Sequence, residues 1–359
     1  MKKSLAASLL LAAGVGVAHA QSSVTFYGIV DTGVEFYNHA ATGGSFVGMS
    51  PLTGEVPSRF GLRGSEDLGG GLKAVFNLEN GFAPSTGGLN YGGRLWGRMA
   101  NVGLSNQYGT VLLGRQINMT YYVTGNADVI GPSMHSMANF DPYLANARSD
   151  NAIGYMGKFG GVTVGATYSF GRDAAGPAGP SATNCGGQVP GDFQACKQFT
   201  GMLAYDATNF GVAASYDQMR GGKGATAPLT SSAYKDTHTV VDGYYRFGPG
   251  RVGIGWIHRD VDAAAASLRS DIYFAGVNWL PTPAVSLDAQ ALHYDIHGTS
   301  NSTLIATRAT YLLSKRTSVY ALLGYMINSQ KGASAVSAGG SVAPGENQTG
   351  AMLGIQHKF

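Results

Sequence analysis

The residues that could do chemistry in this chain are charged, few and set apart. Arg59 heads an alternating segment on its polar parity, and Arg148 heads another, opposite in parity to Ile153 and Tyr155. Between them runs a long connection, Asn118 to Ala147, which carries Asp128 and Asp141 among several Met, aromatic residues and two Pro. A guanidinium stays charged at any working pH and presents a fork of donors to carboxylate or phosphate. A connection of about 30 residues in a compact fold calls for a function of its own. Fixed cations of this kind suit electrostatic attraction of anions, with acids across a gap setting up a transverse field. Catalysis is not indicated, because no G-x-S-x-G, H-E-x-x-H or G-x-x-x-x-G-K-[ST] stretch occurs. Gly253-Ile254-Gly255 reads as strand glycines with no helix to follow. His238, His258 and His293 sit in strands and read as facing water or an interface rather than a metal. No cofactor and no enzymatic activity are expected.

Composition indicates what must position those charges. Of 359 residues, 54 are Gly, about twice the average share, and only 13% are charged. Gly shows no three-residue period, which excludes a collagen-like chain. Hydrophobic residues at 44% and aromatics at 10% argue against disorder. No mature segment offers about 20 consecutive apolar residues for a membrane helix. An all-β design remains. With 24 basic against 21 acidic residues, the chain is near neutral and carries no case for nucleic acid.

Residues 1–20 read as a cleaved signal peptide. Lys2 and Lys3 form a positive start, Leu5 to Ala18 a short apolar stretch, and Ala18-His19-Ala20 a small-residue cleavage site. The chain is therefore expected to leave a bacterial cytoplasm, with residues 21–359 as one domain. In an oxidising compartment Cys185 and Cys196 are expected to pair, which stabilises by ~3 kcal/mol in the chain-entropy model.

The mature chain alternates with period two. Val24, Phe26, Val30, Val34 and Phe36 share one parity, and Thr25, Asp31, Glu35 and Tyr37 the other. Phe60 and Leu62 oppose Arg59, Arg63 and Asp67. Leu72, Ala74, Phe76 and Leu78 oppose Lys73, Asn77 and Glu79. Val162 to Phe170 and Ala351 to Phe359 repeat the pattern. Short turns fall at Leu68-Gly71, Asn106-Gly109, Lys158-Gly161, Thr208-Gly211, Gly248-Arg251, Pro281-Ala284 and Ser314-Thr317. Longer polar stretches lie near 40–57, 83–93, 118–147, 171–197, 220–235, 260–268, 296–302 and 329–347. These fifteen connections imply sixteen strands. Strands of ~9–14 residues match a tilted crossing of a bilayer. Short turns at one end and long loops at the other, with aromatics near strand ends, are the outer-membrane pattern. An open sheet cannot survive in lipid, so the sheet must close, with an aqueous interior and both termini at the periplasmic end.

Several stretches resemble general diffusion porins of β-proteobacteria. They are Ser58-Arg59-Phe60-Gly61-Leu62-Arg63-Gly64-Ser65-Glu66-Asp67-Leu68-Gly69-Gly70-Gly71-Leu72-Lys73-Ala74, the opening Ser23 to Asp31, Gly109 to Gln116, Leu313 to Thr317 and the closing Gly354 to Phe359. The resemblance runs through the whole chain in order. It implies a trimeric, 16-stranded antiparallel transmembrane β-barrel of the Burkholderia, Bordetella and Neisseria type. Short periplasmic turns, long extracellular loops and a third loop folded into the pore belong to that pattern.

The resemblance also implies a constriction. Arg59, Arg98 and Arg148 match the family's basic cluster, facing loop acids Asp128 and Asp141. Periodicity supports Arg59 and Arg148 but not Arg98, which shares its phase with Val102 and Leu104. Arg63, Glu79, Arg115 and Arg308 are further wall candidates. Phe359 matches the C-terminal aromatic read by the barrel-assembly machinery. The implied activity is passive diffusion of small hydrophilic solutes and ions through a water-filled channel, mildly favouring anions. The implied partners are two further copies of the chain and outer-membrane lipid, including lipopolysaccharide. The alternatives are a solute-specific channel of the same fold, for phosphate or dicarboxylates, an outer-membrane barrel enzyme, or an adhesin. Missing catalytic constellations argue against the enzyme.

Overall fold

The computed structural model describes residues 22–50, 52–173, 182–264 and 267–359. The expected signal peptide lies outside the described residues. The strands are β1 (Ser23–Tyr37), β2 (Phe46–Met49), β3 (Arg59–Gly69), β4 (Leu72–Gly81), β5 (Met99–Asn106) and β6 (Gly109–Ile117). They continue as β7 (Arg148–Phe159), β8 (Val162–Ser169), β9 (Gln198–Asp206), β10 (Phe210–Arg220), β11 (Lys235–Phe247) and β12 (Gly250–Asp262). The last five are β13 (Leu268–Thr282), β14 (Val285–Ile296), β15 (Ser300–Leu312), β16 (Thr317–Asn328) and β17 (Gln348–Lys358).

From β3 onward each strand pairs antiparallel with the next, and β17 returns to β1 in the register Ile29↔Lys358 to Tyr37↔Gly350. The sheet thus closes on itself. The other edge of β1 is shared: β3 pairs along Ser23–Ile29 and β2 along Val34–Tyr37. Together β2 and β3 make one stave, so the seventeen strands form sixteen staves among the described residues. The first long connection is therefore partly strand. Residues 52–58, which precede β3 in this stave, turn into the interior. The amides of Glu55 and Val56 donate to the Asp31 carboxylate at 3.3 and 3.0 Å. A Cβ at Gly54 would stand 1.9 Å from the Tyr320 hydroxyl and 2.1 Å from Asp31 Oδ1. Only glycine fits that approach.

Most of the short turns fall where Gly, Pro or Asn places them, while the one between β15 and β16 is Leu313-Ser314-Lys315-Arg316. One expected long connection is short: β14 ends at Ile296 and β15 starts at Ser300. Its polar residues 300–302 continue the strand, because a polar inner face tolerates them.

Alternation sorts side chains as the sequence requires. Val34 is 56% exposed on the outer face, while its neighbour Glu35 is 2% exposed inside. The outer face is an apolar band, as lipid demands. The interior is not uniformly polar. Val240, Ile257, Ile272, Leu292 and Leu304 point inward and are buried. They pack with Val123, Ala127, Ile130, Met137 and Leu144 of the 118–147 loop into the main hydrophobic cluster. The core of this barrel is thus a seam between its inner wall and its third loop.

Candidate functional site

The third loop folds inward and is fastened to the wall along its length. Its helix, Met119–Ala127, packs against β9, β10 and β11. Thr120 Oγ1 donates to Asp217 at 2.8 Å, and Asn126 Nδ2 donates to Asp242 at 2.9 Å. Gln290 Oε1 accepts from the Val129 amide at 2.9 Å. Arg308 donates to the carbonyls of Ile130 and Val129 at 2.8 and 3.0 Å, and its Nε donates to Asp288 at 2.8 Å. Glu55 closes on the same guanidinium at 3.3 Å. Farther on, Met134 is bracketed by two other loops: its amide donates to Gly54 and its carbonyl accepts from Ala338. His135 Nδ1 meets the Val336 carbonyl at 2.7 Å. The inward stretch of 52–58, the third loop and the 329–347 loop are therefore one interlocked body inside the barrel.

Against this body stands a basic wall. Arg98 Nε donates to Glu79 Oε1 at 2.6 Å, Arg59 Nε lies 3.7 Å from Glu79 Oε2, and Tyr27 donates to the same oxygen at 2.9 Å. Arg98 sits one residue ahead of β5, outside its alternation, and its amide is held by the Glu79 carbonyl. That position explains how it points inward despite the phase of Val102 and Leu104. Arg148 is 2% exposed, its Cζ 5.4 Å from the ring centre of Tyr91 and 5.5 Å from that of Tyr121. None of its three side-chain nitrogens has a hydrogen-bond partner among the described residues. Arg115 binds Asp150 and donates from Nε to the Gly97 carbonyl at 2.7 Å. Arg94 bridges Asp150 and Asp173 at 3.0 and 3.3 Å.

The structure brings Arg59, Arg98, Arg148, Glu79 and Arg115 together around strands β3 to β7. Arg63 lies farther down β3, stacked 5.2 Å over Tyr27. Arg308 is on the far wall and serves as the third loop's anchor. The loop acids do not meet the three arginines. Asp128 accepts from the amides of Ile130 and Gly131 at 3.1 and 3.0 Å and from Gln290 at 2.9 Å. Burial raises its carboxyl above the ordinary range, and those donors only partly offset this. Asp141 takes Arg259 at 3.1 Å and His238 at 2.9 Å. Burial pushes its carboxyl up, but Arg259 and His238 outweigh that and hold it below the usual carboxylate range. Both acids are thus bound by groups of β11, β12 and β14 rather than facing Arg59, Arg98 and Arg148.

Tyr91, Arg94, Tyr121 and Asp150 join the group without having been expected from the sequence. Asp150 shares the parity of Arg148, so it could have been read. The others lie in connections, where no periodicity marks an inward side chain. Cys185 and Cys196 are joined in the loop after β8. No group of three or more His, Cys, Asp or Glu suited to a metal occurs among the described residues.

A closed barrel narrowed by an inward loop and lined with guanidinium groups is a channel, and comparison with known proteins names its kind. The sequence profile of the Gram-negative porins matches residues 6–331. The chain belongs to the Gram-negative porin family. It is 33% identical over 378 residues to outer membrane porin protein 32 of Delftia acidovorans, with both chains covered in full. It is 36% identical over 243 residues to an outer membrane porin protein of Bordetella pertussis, covering 61% of this chain and 60% of that one. Among solved structures it is similar to an anion-selective porin from Comamonas acidovorans. The TM-score is 0.75 at 26% identity, over 94% of this porin and 100% of that chain. The protein is accordingly an outer-membrane porin, a channel for passive diffusion and not an enzyme.

Proposed function

We propose that this porin conducts small hydrophilic solutes with a preference for anions, set by Arg59, Arg98 and Arg148 at the constriction. The observation that carries this reading is the charge placement on the β3–β7 wall. Glu79 offsets only part of it, and Arg148 stands buried with no acceptor of its own among the described residues. Low-dielectric walls focus the field of such a cluster, raise local anion concentration and lower the partition cost of an anion. The loop acids add little opposing field, since Asp128 is bound within its own turn and Asp141 is paired with Arg259. Arg63 and Arg115 extend the basic wall on either side. Binding at any one position must stay weak enough for release. The anion selectivity stated for the similar Comamonas acidovorans porin agrees with this assignment.

The same reading makes the molecule a homotrimer. An outward apolar groove of about 730 Å³ runs over β1, β15, β16 and β17, floored by Gly33, Ala309, Ala321 and Gly354. Small residues there permit close approach of a second barrel. Elsewhere the outer face meets outer-membrane lipid, including lipopolysaccharide. Phe359, its ring centre 5.5 Å from that of Phe26 on that face, is the aromatic offered to the assembly machinery. Residues 1–20 direct export.

The test is the zero-current potential of the refolded porin in a planar bilayer under a KCl gradient. Stepwise conductance with an anion-signed potential is expected. A cation-signed potential from a conducting trimer overturns the arginine reading.

A further inference from the structure

Tyr91 holds an unusual position beside the arginines. Its backbone lies in the left-handed region at φ 55°, ψ 40°, which a residue with a Cβ rarely adopts without compensation. Two glycines follow in the same region, Gly92 at φ 78° and Gly93 at φ 74°. The ring is seated on two more. A Cβ at Gly81 would stand 2.5 Å from its Cε2, and one at Gly97 2.6 Å from its Cβ. Its hydroxyl accepts from Arg98 Nη1 at 2.7 Å and donates to Asn146 of the third loop at 3.3 Å. The Arg148 guanidinium lies over its ring and over that of Tyr121.

This cover leaves Arg148 unsatisfied. Its Nε, Nη1 and Nη2 are out of solvent and lack acceptors among the described residues. A buried guanidinium without acceptors is unfavourable, so the arrangement suits a partner that arrives from outside. The phenol oxygen of Tyr91 is a neutral acceptor among cations. Burial raises its pKa, but Arg98, then Arg148 and Arg115, outweigh that and bring it below the usual phenol range. A fully charged oxygen would be better served at the same place.

We propose that Tyr91 is the specificity-determining residue of the constriction: a displaceable cap whose phenol holds the seat that a carboxylate or phosphate oxygen takes between Arg98 and Arg148. This rests on the anion-preferring reading above. An arriving oxyanion replaces the phenol as acceptor for Arg98 and supplies the acceptors that Arg148 lacks. Tyr91 leaves its left-handed backbone, with Gly92 and Gly93 as the hinge. A cavity of about 360 Å³, lined by Tyr91 itself with Leu89, Asn90, Pro132, Pro142 and Asn146, receives the ring. Cations and neutral solutes bring no charge that displaces the cap, and for them Arg148 stays covered.

The experiment compares Tyr91→Ala and Tyr91→Phe with the unaltered porin by zero-current potential in KCl and potassium acetate gradients. Heat-shifted gel mobility confirms that each variant folds. Tyr91→Ala is expected to raise the anion-to-cation permeability ratio by about threefold or more, a shift well within what one displaced hydrogen bond supplies. Tyr91→Phe, which keeps the ring and loses the acceptor, is expected to raise it by less, with the larger effect in acetate. Folded variants with an unchanged or lowered ratio overturn the cap. If only Tyr91→Phe folds, an unchanged ratio in that variant overturns it equally. A cation-signed potential in the unaltered porin refutes the anion-preferring reading instead, before any variant is compared.

Discussion

Glu79 is the carboxylate that Arg98 and Arg59 share, so removing its charge while keeping its shape tests the electrostatic reading. In Glu79→Gln the amide oxygen can still accept from Arg98 Nε, and Tyr27 keeps a neighbour, but the wall gains one unit of positive charge. For an anion passing at about 8 Å, near the Debye length at physiological salt, Coulomb's law gives about 0.5 kcal/mol in bulk water. At an effective dielectric of about 20 it gives about 2 kcal/mol. The water-filled interior favours the lower end, which is about a two- to threefold rise in anion partition, with about thirtyfold as the ceiling. Breaking a buried pair also costs about 3–5 kcal/mol locally, so the variant must first show the unaltered heat-shifted mobility. The assay is the zero-current potential across a roughly tenfold KCl gradient. A shift toward the anion limit is expected. A folded variant whose potential is unchanged, or moves toward the cation limit, refutes the premise that this wall sets the field.

Other outcomes follow from the loops. Arg308→Ala removes two charge-assisted bonds to the third loop, each worth about 1.5–3 kcal/mol. Faster hydrogen exchange at Val129 to Gly131 and noisier open-channel current are expected, and unchanged exchange would mean that Arg308 is not the anchor. Cys185→Ser with Cys196→Ser should loosen the loop after β8 by about 3 kcal/mol of closure entropy. It should show as easier protease nicking there with selectivity unaltered. His135 is buried against Gly324, Gly350 and the Val336 carbonyl, and burial depresses its pKa below the ordinary 6.5 despite that hydrogen bond. Because the folded state binds the proton less well than the unfolded one, its contribution is full above about pH 6.5 and is lost as pH falls through the lowered value. Closures of the channel should therefore rise on acidification, and less so in His135→Asn. Equal acid sensitivity in the variant would remove His135 as the source.

Much of the barrel is legible because lipid enforces it. Val24, Phe26, Val34 and Phe36 must face hydrocarbon, so their parity alone orients β1, and Gly, Pro or Asn marks most of the hairpin reversals. The break in the second stave is not legible. Residues 52–58 read as part of an ordinary loop, and their inward course depends on Asp31 and Arg308, which lie outside that loop. The apolar interior is hidden for a related reason. Val240 next to Val241, or Leu304 next to Ile305, makes both faces of a strand apolar, and alternation then carries no direction. Of the site, Arg59 and Arg148 follow from parity, whereas Arg98 precedes its strand and breaks the rule. Tyr91 offers no signal beyond its two glycines. Asp128 and Asp141 lie on the inward loop as the sequence suggests, but which cations they meet is decided by tertiary register with Gln290, His238 and Arg259.

The measurement closest to the central claim is the zero-current potential of Arg59→Ala and Arg148→Ala, singly and together, beside the unaltered porin. Conducting trimers are expected whose anion-signed potential weakens in each variant and falls furthest in the pair. Folded variants that keep the full anion preference would contradict it, and would move the selectivity to charges elsewhere in the channel.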